Sequence, residues 1–446
     1  MKKLLMGLVF MGLTSAHAAS NAPEGEYLIK LEGDLKTSQV RFQATLPIGS
    51  EVEDLGFNNW VKVKVPKTAL KSVTLSSLKK QRIVKEAQPN YRIKLLENPN
   101  LAKLRAEIQA RANDEDCPIP IPGFCDGNGG GGGGGIGATP KDNPDIPAVR
   151  KPGSGNDPLL TSQWGMLDIG TRDAWQKSTG RKDIVVAVID TGVDYTHEDL
   201  VENLWRNPGE MGTDSQGRDK ATNGVDDDNN GFVDDVIGWD FVSNDNKPFD
   251  LAVSVFELFT GGNPGHGTHC AGNVAARGMN GKGISGVAPH VSIMSIRFLS
   301  EKGQGTTDGA VKSIIYAIKN GAHVLSNSWG SEGEDPNDPD NQALREAIRF
   351  SEQYGRLFVA AAGNGHQGKG YDNDNDSKPA YPASYPDNII ISVAALDAQD
   401  QLGSFSNWGR VSVDIGAPGV KVFSTTVGGK YSDKVIDLFG MQINWD

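Results

Sequence analysis

The chain has 446 residues and a formal net charge of -12, in a composition that excludes fibrous and wholly disordered classes. An acidic balance without any basic tract excludes a nucleic-acid binder, and the length predicts two or three domains. With three cysteines, the core is expected to form without a disulfide framework.

Residues 1–19 combine two lysines, an apolar stretch over 4–13 and a small-x-small site at Ala16-His17-Ala18. This is the pattern of a signal peptide and predicts export to the periplasm or the medium. The apolar run is about half of the roughly 20 residues that span a bilayer, so no membrane anchor is expected. Residues 20–96 are predicted to form a small α+β unit, with strands at 27–31, 60–65 and 92–95 and a helix around 75–81. Composition then shifts to Asp, Pro and Gly, which makes 97–155 a flexible linker with an unbroken glycine tract at 129–135. Cys117 and Cys125 lie within it and could pair in an oxidising compartment.

From residue 156 strand-like and helix-like segments alternate, the pattern of an α/β domain with a mostly parallel sheet covered by helices on both faces. Apolar strands are expected at 184–189, 291–299, 323–329, 357–362 and 389–395, and amphipathic helices at 307–319 and 341–354. The 184–189 run ends at Asp190, a carboxylate placed before a Thr191-Gly192 turn, where open α/β sheets build their sites. A turn-capping aspartate is the alternative. Further on, Asp226, Asp228, Asn230, Gly231 and Asp234 stand at positions one, three, five, six and nine of a calcium loop. Position twelve is Ile237, so a bidentate ligand is expected from elsewhere, Asp235 or Asp240, and a solvated acidic turn is the alternative. Residues 372–376 form a further acidic candidate.

His266 opens a stretch of small residues, His-Gly-Thr-His-Cys-Ala-Gly, that reads as a helix passing close to a sheet. With an upstream aspartate it has the parts of a general base and its orienter. His269 lacks the spacing of the helical zinc motif, and Cys270 reads as a small packing residue on the face of His266. The backbone around Ser328 to Gly330 could pair with an extended peptide. Asn364 follows an apolar strand, and its amide could donate to an oxyanion at the edge that holds Asp190.

The stretches at Asp190, His266 and Ala361-Ala-Gly-Asn364, in this order, resemble those of the subtilisin-like serine proteases, the subtilases or S8 peptidases, over residues 156–434. The resemblance implies a secreted serine endopeptidase in which Asp190 orients His266, His266 is the base and Asn364 the oxyanion donor. It implies a substrate cleft walled by Ser328, Trp329, Gly330, Ala361, Ala362 and Gly363. By their charge Glu332, Glu334 and Asp335 could favour basic substrate residues, and an exposed acidic loop is the alternative. Residues 20–96 would be a ferredoxin-like inhibitory propeptide. Calcium would be a structural cofactor, with Asp199 a further ligand beside Asp226, Asp228, Asn230 and Asp234. Peptides and the chain's own propeptide would be the partners of a monomer.

One departure stands against this pattern. The family carries its nucleophile in Gly-Thr-Ser-x-Ala soon after a turn like Ala417-Pro418-Gly419, and that motif is absent from the 446 residues. Ser424 and Ser432 lack the glycine turn that would expose a nucleophile. Residues 435–446 read as an atypical tail, consistent with a shifted reading frame. The expectation is an incomplete, inactive catalytic domain with excess exposed apolar surface. The alternative is a subtilase without a nucleophile that binds peptides or calcium.

Overall fold

The computed structural model describes residues 22–96, 98–101, 103–104, 157–258, 261–331, 341–366, 368–438 and 441–445. The expected signal peptide, the glycine tract, Cys117, Cys125, Glu332, Glu334 and Asp335 lie outside these residues. The chain divides into two units, residues 1–92 and 93–446.

In the first unit β1 (Glu26–Leu31), β2 (Glu51–Asp54), β3 (Trp60–Lys64) and β4 (Val84–Pro89) form an antiparallel sheet in the order β2-β3-β1-β4. Alternate residues Ile29, Val61, Val63 and Ala87 point into one core with Phe42 and Leu78 from the helices Leu35–Gln43 and Leu75–Lys79. Asp34 caps the first helix by accepting from the Thr37 N–H, and Thr74 with Ser77 closes a reciprocal cap on the second. The first helix escaped the sequence reading because it buries only Ser38 and Phe42, too thin a stripe for a helical period.

The second unit begins within β5 (Arg92–Leu95). Its strands continue as β6 (Val185–Asp190), β7 (Gly238–Asp240), β8 (Ser292–Arg297), β9 (Gln304–Thr306), β10 (Val324–Asn327), β11 (Trp329–Gly330), β12 (Leu357–Ala361), β13 (Ile390–Leu396) and β14 (Ile415–Pro418). Seven of these form a parallel sheet in the order β14-β13-β12-β10-β6-β8-β7. The expected boundary at residue 96 thus falls inside this unit, because β5 pairs with β11 rather than with the first sheet. The expected strand 323–329 is divided at Ser328 into β10 and β11. From β6 the chain moves to β8 on one side and returns to β10 on the other, so the carboxyl ends of β6 and β10 border a topological switch point.

All six residues of β6 are buried. Val186 and Val188 pack against Ala271 and Ala275 of the helix His266–Ala275, and alternation sends Ala187 and Ile189 to the opposite face. The helix Thr307–Lys319 lies on β6 and β8, and Gln342–Gln353, capped by Asn341, packs on it and on β12. At the sheet edge the Arg297 guanidinium donates to the Asp240 carboxylate at 2.6 Å, joining β7 to β8 through a buried ion pair. Beyond β14 come two hairpins, β15 (Ser424–Thr426) with β16 (Lys430–Ser432) and β17 (Lys434–Leu438) with β18 (Met441–Asn444). A cavity of about 610 Å³ remains between sheet and helix, lined by Val186, Val324, Val359 and Val393 on one side and Cys270 and Val274 on the other.

Candidate active site

Asp190 ends β6 with its side chain buried, and its two oxygens accept from His266 Nδ1 at 2.9 and 3.0 Å. The Thr191 N–H donates to Asp190 Oδ1 at 2.7 Å and fixes the carboxylate. Because Nδ1 donates to Asp190, Nε2 is the nitrogen left to take a proton from a hydroxyl. Burial alone would push the His266 pKa down, but the Asp190 charge, helped by Cys270, outweighs it and holds the imidazole well above its usual range.

The residue that ties the two elements together is Asp250, which sequence reading did not single out. Its carboxylate is buried and accepts from Thr191 Oγ1 at 3.0 Å, Asn263 Nδ2 at 2.6 Å, and Thr268 through its N–H at 2.9 Å and its Oγ1 at 2.6 Å. Asn263 in turn accepts from the N–H groups of Gly265 and His266, and Thr191 Oγ1 accepts from the Gly267 N–H. The first turn of the helix is therefore satisfied by side chains on both flanks, which sets the position of the imidazole. Gly267 permits this approach, since a Cβ there would collide with the carbonyl oxygen of Gly192. Burial pushes the Asp250 pKa up to about 6 against the hydrogen bonds that lower it.

Cys270 Sγ lies 3.7 Å from His266 Nδ1 and 3.9 Å from Nε2, so the thiol packs on the core and also faces the imidazole. His269 is a structural residue. It is buried, meets the Val422 carbonyl through Nε2 at 3.1 Å and stacks on Trp445 with ring centroids 4.2 Å apart. Burial brings its pKa down to about 3 and keeps the ring neutral.

Ser328, Ala361 and Asn364 line the cavity together with His266. Ala362 and Gly363 are buried behind them, and Gly363 has a positive φ that turns the chain toward Asn364. The Trp329 side chain points away, donating through Nε1 to the Ile189 carbonyl at 2.8 Å, so only its backbone borders the groove. That backbone is occupied: Trp329 pairs with Leu95 and Gly330 with Lys94, and the Leu95 N–H donates to Gly303 O at 2.8 Å. The chain's own residues 93–96 thus form an extra strand between β9 and β11, and Leu96 reaches the cavity that His266 lines. Ser424 Oγ donates to the His269 carbonyl and Ser432 Oγ to that of Lys434, so both hydroxyls serve the backbone.

The acidic residues fall into separate environments. Asp199 accepts from Asn280 Nδ2, the Ile284 N–H and Tyr431 OH, and Asp157 accepts from the N–H groups of Met279 and Asn280. Asp226 and Asp228 converge with Glu210, their carboxylate oxygens lying within 4.8 Å of one another. Asn230 and Asp234 are turned elsewhere. Asn230 Oδ1 accepts from Phe232 N–H and its amide donates to Asp228 and Asp235, while both Asp234 oxygens accept from Gly224 N–H. Neither expected bidentate ligand joins the cluster: Asp240 pairs with Arg297, and Asp235 is held by Tyr316 OH and Asn207. Burial, reinforced by Asp235 and Asp228, pushes the Glu210 pKa up to about 7.

Comparison with known proteins agrees with this geometry. Residues 181–440 match the model of the subtilase family, and the chain belongs to that family. It is 35% identical over 270 residues to the thermophilic serine proteinase of Bacillus sp. (strain AK1), covering 60% of this chain and 52% of that protein. It is 34% identical over 271 residues to thermitase of Thermoactinomyces vulgaris, covering 60% of this chain and 75% of the relative. The crystal structure of fervidolysin from Fervidobacterium pennivorans superposes with a TM-score of 0.57 at 24% identity, over 93% of this chain and 52% of that one. The chain therefore spans about half the length of the Bacillus proteinase and of fervidolysin.

Proposed function

We propose that this chain carries the proton-relay part of a secreted serine endopeptidase and that its 446 residues alone do not turn over peptide bonds. Asp190 orients His266, His266 Nε2 is the base, and Asn364 is the donor to a developing oxyanion. The observation that carries the reading is the Asp190–His266 pair at the switch point, beside a groove that already holds an extended peptide strand, residues 93–96. No Gly-Thr-Ser stretch stands in the sequence to supply the nucleophile. On this reading residues 20–96 act as propeptide and inhibitor, Ser328, Ala361 and Gly363 border the substrate, and calcium is a structural cofactor.

The occupied groove also supports a second reading, a peptide-binding subtilase without hydrolysis. A fluorophosphonate probe separates the two. The chain as it stands is expected to remain unlabelled. A chimera that continues from Lys434 into the serine-bearing segment of thermitase is expected to be labelled, and to lose the label on His266→Ala. His266-dependent peptide cleavage by the unaltered chain would overturn the proposal, and a well-folded chimera that stays unlabelled would favour the second reading.

A further inference from the structure

The amino ends of β6 and β8, opposite the end that carries Asp190, gather basic side chains in a chain whose net charge is -12. Lys182 lies just before β6, His290 just before β8, Arg277 just after the helix His266–Ala275, and Arg206 after the turn Val201–Asn203. The Trp205 N–H donates to the Ile293 carbonyl at 2.7 Å and so fixes Arg206 beside the start of β8. Both terminal nitrogens of the Arg206 guanidinium are buried, and neither has a hydrogen-bond partner among the described residues. Burial, with no carboxylate among those residues to offset it, brings its pKa down to about 10. A buried cation without acceptors is costly unless a negative group completes it. Its neighbours carry the same sign. Lys182 stands on the exposed rim, its ammonium donating to the Glu202 carbonyl at 2.7 Å and to the Asn203 side chain. Desolvation there, with the charges of Arg277 and Arg206, brings its pKa down to about 8 against the pull of Glu202. The Glu202 carboxylate pairs with Arg277 at 3.3 Å, so three cations share one carboxylate. His290 meets Thr179 Oγ1 through Nδ1 at 2.6 Å, and its buried Nε2 has no partner among the described residues.

We propose that Arg206 and Lys182 bind one small tetrahedral oxyanion, of the phosphate or sulfate class, between the amino ends of β6 and β8. Nη1 and Nη2 of Arg206 offer two parallel donors to two oxygens of such an anion, the geometry in which a guanidinium binds most strongly. Lys182 adds a third charged donor and marks the exposed side from which the anion enters. His290 offers Nε2, and Arg277 adds its charge. Because the chain as a whole is acidic, its overall field works against an anion, so binding must come from this local arrangement. The assignment uses none of the residues of the proton relay and stands or falls separately from the proposed function.

The test is a calorimetric titration of the full chain with inorganic phosphate, at an ionic strength held constant with sodium chloride, beside its Arg206→Met and Lys182→Met variants. Sulfate and acetate serve as comparison ligands. The parent is expected to bind phosphate saturably and to melt higher in its presence, because the anion binds the folded state. Arg206→Met removes a buried unpaired charge, so without phosphate it is expected to melt no lower than the parent. Its phosphate affinity is expected to fall about tenfold or more, the worth of charged hydrogen bonds, and the rise in melting temperature to shrink with it. Lys182→Met, on the exposed rim, is expected to fold like the parent and to bind phosphate more weakly. If neither phosphate nor sulfate binds saturably, the proposal is overturned. Binding that survives Arg206→Met unchanged places the anion elsewhere and overturns it too, and acetate bound as tightly as phosphate overturns the tetrahedral class.

Discussion

Asp250→Ala is expected to be among the most destabilising single changes in this chain, lowering the unfolding free energy by about 3 kcal/mol or more. The loss has a specific origin. Alanine leaves the buried Thr268 N–H without its acceptor and reduces the Asn263 amide to its longer bond with the Leu251 carbonyl at 3.2 Å, and each buried donor left unsatisfied costs about 1–3 kcal/mol. The damage would not stay local, because Asn263 and Thr191 hold the first turn of the helix that presents His266. Urea unfolding measures the loss, and a change below about 1 kcal/mol would mean that the network is not cooperative.

Asp250→Asn separates shape from charge. The folded protein binds the Asp250 proton more tightly than the unfolded chain, since burial raises its pKa to about 6 from an ordinary value near 3.9. By linkage the stability this group contributes is greatest below the lower value and is lost as pH rises from about 4 through about 6. The asparagine variant is expected to lack that fall, which unfolding curves across the window would detect.

Arg297→Met is the second large effect, with an expected loss of about 3–5 kcal/mol at neutral pH. Arg297 and Asp240 are register partners at the junction of β8 with edge strand β7, and both side chains are almost wholly buried. Burial pushes the Asp240 pKa up and the guanidinium holds it back. Removing the guanidinium raises it further, so the deficit is expected to shrink towards about pH 3, below the ordinary Asp pKa near 3.9, where the carboxyl is largely neutral in both states. A double variant, Arg297→Met with Asp240→Leu, is expected to recover most of the loss, because it removes the stranded charge as well. Denaturant midpoints of the parent and both variants at the two pH values give the comparison.

What the sequence made legible follows from how far each signal reaches along the chain. The buried run of β6, the amphipathic helix Thr307–Lys319 and the small-residue helix after His266 are local patterns, and the parallel sheet follows from their alternation. The contact between Asp190 and His266 is foreshadowed by two short stretches, each with its own turn chemistry. Asp250 is different. A dozen residues separate it from Asn263, so nothing in its neighbourhood points to the helix it supports. Glu210 likewise lies outside the acidic loop it joins, on a turn whose own pattern is unremarkable. The three residues of β7 are too few to display a strand period, and β14 is a short edge with exposed Ile415. The cavity lined by Val186, Val274, Val324, Val359 and Val393 is likewise assembled from residues far apart in the sequence and becomes visible only in the fold.

That cavity bears on how the protein responds to compression. Unfolding eliminates internal void, and ordinary domains shrink by about 20–100 mL/mol when they do so. A space of about 610 Å³ per molecule corresponds to about 370 mL per mole, and the part of it that stays dry behind the groove at His266 adds to that shrinkage. The chain is therefore expected to unfold at lower hydrostatic pressure than a variant in which a larger apolar side chain at Val274 or Val359 fills the space. Anything that seats itself between Val274 and Val359 would harden the protein against pressure in proportion to the volume it fills.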